Sequence, residues 1–272
     1  IHEYITTVGF VDLATRGNQL YLNGLPFEMK GISYFEDYAS ANQTLSAYQL
    51  EQDIKSIKML GANVIRLKQT MPNPYFIELC NRNGIFVMIE LPVYNVPNFL
   101  LGSNEIIVRM NNIADNIATI YGNAPCVLAW GVSDGVHEGS KEEQEFSAQL
   151  TKKLRHSGAR LLYKTVIFGA KSINTEGYDL IGLDDNRRFK SVENLAAEAE
   201  RMATLAGGKP LFLSFGIAIQ PDNFNGYSDP FSLESQAFYI QTMYNISKSG
   251  SFVGCVAFSF NDYELENPLL IL

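Results

Sequence analysis

Cysteine is scarce in this 272-residue chain: Cys80, Cys126 and Cys255 are the full set, and none stands in a CxxC or Cys/His spacing. That excludes a sequence-encoded zinc or dithiol motif, and the apolar neighbours of each cysteine read as those of a small buried hydrophobe. So few cysteines leave the compartment open, because a secreted domain of this size is stable without disulfides. Histidine is as scarce, and His2, His137 and His156 are too scattered to build a triad or a metal centre. No cofactor or metal is expected. The net charge of −8 comes with no lysine or arginine cluster, so the footprint of a nucleic-acid partner is missing. No run reaches the roughly 18 apolar residues of a membrane span, and no signal-peptide pattern opens the chain.

What is present is a globular balance, 46% hydrophobic and 18% charged, in a length that suits one domain with a large core. Short apolar runs alternate with amphipathic stretches, the pattern of βα units. Eight runs read as strands: Phe27 to Tyr34, Asn63 to Leu67, Ile85 to Leu91, Cys126 to Val132, Leu161 to Phe168, Tyr178 to Leu183, Pro210 to Ile219 and Phe252 to Phe260. Helices are expected over Ser46 to Leu60, Pro74 to Arg82, Asn104 to Tyr121, Lys141 to His156 with Ser140 as N-cap, Ser191 to Leu205 and Ser232 to Ser247. No clear helix follows the fifth run. Eight strands with right-handed crossovers give an α/β fold, a closed (β/α)8 TIM barrel. An open doubly wound sheet is the alternative, and the lack of a Gly-rich phosphate turn after the first strand counts against it. Both ends read as cut, as in a domain excised from a longer parent chain.

A barrel carries its chemistry at the C-terminal ends of its strands. The polar residues there are Ser33, Glu36 and Asp37, Arg66 and Lys68, Glu90, Ser133 and Asp134, Asp184 and Asp185, Ser214, and Asn261 and Asp262. Arg66 and Glu90, at the ends of adjacent strands, are expected to pair. Tyr34, Phe35, Tyr94, Trp130, Phe215 and Tyr263 lie near strand ends, where they would either stack on a ligand or fill the mouth.

Several segments carry a family resemblance. Val8-Gly-Phe10, Leu22-Asn-Gly24 and Lys30-Gly-Ile-Ser-Tyr-Phe-Glu-Asp37 are similar to the "GFR", "LNGKP" and "KGVNRHED" entry of the family 2 glycoside hydrolases, the β-galactosidase and β-glucuronidase family. Asp53 to Arg66, Phe76 to Glu90, Asn123 to Trp130 and Lys209 to Ser214 continue the match, so it runs nearly the whole chain. The resemblance implies a catalytic TIM barrel over residues 26–272, preceded in 1–25 by a linker strand from an upstream β-sandwich domain, with further domains of the parent chain and carbohydrate as partners.

The family uses two glutamates for retaining hydrolysis, an acid/base and a nucleophile. Here the acid/base position falls on Gly135, in Trp130-Gly-Val-Ser-Asp-Gly135, and the nucleophile position on Phe215. The family histidine after strand one falls on Phe35, and the loop after Arg66 is one residue longer than the family's. Candidate replacement carboxylates are Asp134, Glu138, Glu90 and Asp184, and candidate substrate-binding residues are Glu36, Arg66, Glu90, Trp130, Asp134 and Asp262. The expectation is a barrel that has lost hydrolysis and acts in carbohydrate binding or as a scaffold. A divergent β-glycosidase with relocated carboxylates is the alternative.

Overall fold

Among the described residues, eight of the eleven strands close into a parallel barrel in the order β10-β11-β4-β5-β6-β7-β8-β9, as expected of a TIM barrel. The computed structural model describes residues 8–36, 45–68, 71–94, 96–135, 139–158, 160–185 and 194–261. Asp37, Glu138, Asp262, Tyr263, His2 and His137 lie outside the described residues.

The barrel strands are β4 (Met29–Tyr34), β5 (Val64–Leu67), β6 (Phe86–Glu90), β7 (Val127–Gly131), β8 (Leu162–Ile167), β9 (Leu180–Asp185), β10 (Leu211–Phe215) and β11 (Phe252–Ala257). Residues before them form a small antiparallel sheet, β1 (Leu13–Arg16), β2 (Gln19–Leu22) and β3 (Leu25–Pro26). Leu20 of this sheet is buried with Met29, Leu161, Leu180 and Val253, which stand at or beside the N-terminal ends of barrel strands. The sheet therefore covers the bottom of the barrel, opposite the functional end.

Six long helices lie where the amphipathic stretches place them: α1 (Ala47–Met59), α2 (Pro74–Asn83), α4 (Asn104–Tyr121), α5 (Lys141–His156), α6 (Leu195–Leu205) and α7 (Leu233–Ser247). All but α6 start on a side-chain cap. Ser46, Ser103, Ser140 and Ser232 each accept a backbone N–H of the first turn, and Gln49 completes a capping box with Ser46. One short helix, α3 (Asn98–Leu101), was not legible in the sequence, having a single turn and no side-chain cap. No helix intervenes between β8 and β9, as the sequence indicated. Among the described residues, no helix is long and apolar enough to cross a membrane.

The period-two alternation of each strand sorts its residues between two environments. Ile65, Leu67, Val87, Ile89, Leu213 and Phe215 face outward into the main hydrophobic cluster, shared with the helices. Val64, Met88, Tyr163, Phe212 and Val256 face inward and form an apolar plug in the lower barrel. Continuing the same inward parity one step toward the C-terminal end brings Ser33, Arg66, Glu90, Thr165, Asp184 and Ser214 to one polar layer. All three cysteines are buried.

Candidate active site

The polar layer at the barrel mouth is an ion-paired cluster with almost no exposure. Arg66, Glu90, Asp134 and Ser214 have none, and Lys68 and Asp184 are buried. Arg66 leaves β5 pointing inward and donates from Nε to Glu90 Oε1 at 3.1 Å and from NH1 to Ser214 Oγ at 3.0 Å. Its NH2 nitrogen lies within 3.0 Å of both Glu90 Oε1 and Asp134 Oδ1. Lys68, two residues on, donates to Asp134 Oδ2 and stands 3.3 Å from Glu90 Oε2. Thr165 donates its hydroxyl to Asp134 Oδ1, and the Tyr163 hydroxyl donates to Glu90 Oε1 at 3.2 Å. Gly131 makes that reach possible, because a Cβ there would sit 2.6 Å from the Tyr163 ring.

Two cations thus face Glu90 and Asp134, and the charges balance before Asp184 is counted. Burial pushes the Asp134 carboxyl up, but Lys68 and Arg66 outweigh it and hold it below the ordinary carboxylate range. Burial opposes the charge on Arg66 and Lys68 as well, and the neighbouring carboxylates override it, so both stay protonated. Asp184 is the odd charge: burial and the nearby Asp134 raise it to about 6, against the pull of Lys68, Arg66 and a Ser214 hydrogen bond.

A folded-state pKa above the ordinary value gives stability that is present at acid pH and lost as pH rises through about 6. Keeping Asp184 ionised at neutral pH therefore costs on the order of 3 kcal/mol. Asp184→Asn is expected to stabilise the domain at pH 8 in urea titrations and to make no difference near pH 4. Destabilisation at pH 8 would show instead that the cations hold Asp184 ionised.

The remaining candidates lie apart from this cluster. Glu36 turns to the start of α2, where both carboxylate oxygens accept the Asn73 N–H at 2.9 Å, and burial raises it to about 7. Trp130 is buried in the main hydrophobic cluster between barrel and helices. Phe215, at the expected nucleophile position, points outward, its ring 6.2 Å from that of Tyr239 on α7. It neither presents a carboxylate nor blocks the mouth. Phe35 and Phe258 stand edge to face at 5.6 Å, and Phe35 is tied to the last strand end by backbone bonds with the Asn261 side chain. Gly135 has a φ of +62° and donates its N–H to Thr165 Oγ1. Lys68 as the pivot of the cluster, and Tyr163 and Thr165 as its supports, were missed as a set; inward parity on β8 was the available signal. No group of three metal-ligating side chains occurs among the described residues.

The family model for "Glycosyl hydrolases family 2, TIM barrel domain" matches residues 13–154, just over half of the chain. The β-galactosidase of Klebsiella pneumoniae is 24% identical over 149 residues, which are 50% of this chain and 14% of that protein. The β-glucuronidase of Felis catus is 26% identical over 131 residues, 48% of this chain and 20% of that protein. Among solved structures, a family 2 β-galacturonidase from Eisenbergiella tayi bound to galacturonate superposes with a TM-score of 0.86 at 18% identity, covering 93% of this chain and 47% of that one. A Bifidobacterium dentium β-glucuronidase gives 0.87 at 18% identity, covering 97% and 45%. The chain thus spans a fifth or less of these curated relatives and under half of the solved structures. On the family match, the chain belongs to glycosyl hydrolase family 2, and the barrel described above is its TIM barrel domain.

Proposed function

We propose that this family 2 barrel no longer hydrolyses β-glycosides and serves a larger protein in carbohydrate binding or as a scaffold, with the scaffold role favoured. The observation that carries this reading is the self-neutralised mouth: Glu90 and Asp134 face Arg66 and Lys68 of the same chain with no exposed side-chain surface. A carboxylate engaged by two cations is a poor proton donor and a poor nucleophile. Gly135 and Phe215 supply neither function at the positions where the family resemblance places them. Loss of a general acid alone costs about 10²- to 10⁴-fold, and loss of the nucleophile removes the covalent route. Carbohydrate binding draws its support from the half-exposed Tyr94 ring at the rim. Further domains of the parent chain, including one upstream of residues 1–25, are partners on this reading.

One observation favours the alternative, a divergent glycosidase. Asp184 is raised to about 6 while nearby Asp134 is held low, and carboxylates pushed apart in this way are how acid and base roles divide. Dinitrophenyl β-glycosides of galactose, glucuronate and galacturonate separate the two readings, because that leaving group needs little protonation and reports on the nucleophile. No turnover above the buffer rate is expected with any of the three. Turnover that vanishes in Asp134→Asn or Asp184→Asn would replace the first reading with the second.

A further inference from the structure

The Lys68 ammonium sits in a cage of carboxylates and aromatic rings. Two carboxylates hold it, Asp134 Oδ2 by a hydrogen bond and Glu90 Oε2 at 3.3 Å. Two aromatic rings face it, with centroids 5.8 Å away for Tyr94 and 6.0 Å for Phe258. Carboxylates combined with ring faces are the chemistry that selects an ammonium over a neutral hydroxyl, since both attract positive charge and only the carboxylates accept N–H. The lysine side chain is 3% exposed, while Tyr94 is 46% exposed and marks the side that opens to solvent.

Two polar groups in the mouth lack a hydrogen-bond partner among the described residues. Glu90 Oε2 is buried and accepts no hydrogen bond from another described residue, although the Lys68 ammonium nitrogen stands 3.3 Å away. Ser33, on the inward face of β4 beside Arg66, is fully buried, and its hydroxyl makes no hydrogen bond. Buried polar groups without partners are uncommon, and each calls for an explanation.

We propose that the barrel mouth is a binding site for a primary ammonium group, with Lys68 as its resident ligand. In the intact chain the site is filled in cis, so a neutral sugar entering the mouth would have to displace a cation and leave two carboxylates to Arg66 alone. This deepens the non-hydrolytic reading of the same mouth and rests on it, but its test measures binding and stability, not turnover, so the two fail separately.

Lys68→Ala removes the ammonium and leaves a channel the length of n-propylammonium. The melting temperature is expected to fall by on the order of 10 °C. At least half of that loss should return with n-propylammonium chloride, and none with n-propanol or with sodium chloride at equal concentration. The wild-type protein should not respond to any of the three. Absence of recovery, or equal recovery with n-propanol or salt, overturns the proposal. Should Lys68→Ala not fold alone, refolding with n-propylammonium is expected to restore the native circular dichroism, and failure to do so overturns it as well. Reductive methylation of the wild-type protein provides a check without substitution. Lys68 should remain unmodified while exposed Lys55 is methylated, and prompt methylation of Lys68 counts against its residence in the cage.

Discussion

Arg66→Met is expected to destabilise the domain by at least about 3–5 kcal/mol, a large part of the roughly 5–15 kcal/mol that holds a typical domain together. Methionine fills much of the volume, so the loss is electrostatic. Glu90 and Asp134 would each lose a charged donor in a fully buried place, and the Ser214 hydroxyl would lose another. Urea denaturation reads the effect directly. The deficit should shrink as pH falls and the stranded carboxylates take up protons. Adding Glu90→Gln to Arg66→Met should recover part of the loss, because removing both charges costs less than orphaning one. An Arg66→Met protein as stable as the wild type would show that water reaches the mouth and that the cluster is not the lock described here.

Gly254→Ala is expected to be as damaging, for a steric reason. Gly254 lies on β11 where that strand pairs with β4, opposite Met29, with a φ of +134° that a side chain disfavours. A Cβ there would overlap the Met29 carbonyl oxygen and lie 2.7 Å from the carbonyl carbon. Both are backbone atoms of the neighbouring strand and cannot swing away. The substitution must part the strands, at a cost above the roughly 4–5 kcal/mol that marks exceptional single changes. The check is whether Gly254→Ala accumulates as soluble protein with a cooperative thermal transition. A melting temperature within a few degrees of wild type would mean the seam adjusts more freely than its geometry implies.

The elements were legible because barrel strands buried on both faces read as apolar runs, and the helices carry side-chain caps such as Ser140 and Ser232. The adjacency of Arg66 and Glu90 could also be anticipated, since β5 and β6 follow one another and pair. Other features depend on information that a linear pattern does not hold. The direction of Phe215 turns on strand parity: the single polar residue of Leu211–Phe215 is Ser214, and placing it inward sends the phenyl ring outward to Tyr239. The separation of Glu36 from the cluster depends on where α2 begins, because its carboxylate goes to the Asn73 N–H. The burial of Lys68 was not legible either. A lysine after a strand ordinarily reaches solvent, and only the meeting of β6 and the segment after β7 gives this one two carboxylates to join.

The seam between β11 and β4 also bears on how the barrel comes together in time. Every other neighbouring pair of barrel strands is consecutive in the chain, whereas this pair joins its first barrel strand to its last. The entropy of bringing two chain segments together grows with the length between them, and contacts of high sequence separation slow folding. The seam therefore carries the largest closure entropy of any strand pair in the barrel. The hydrogen bond from Arg66 on β5 to Ser214 on β10 spans the barrel interior, so the hydrogen bonding of the mouth is complete only when the circle is.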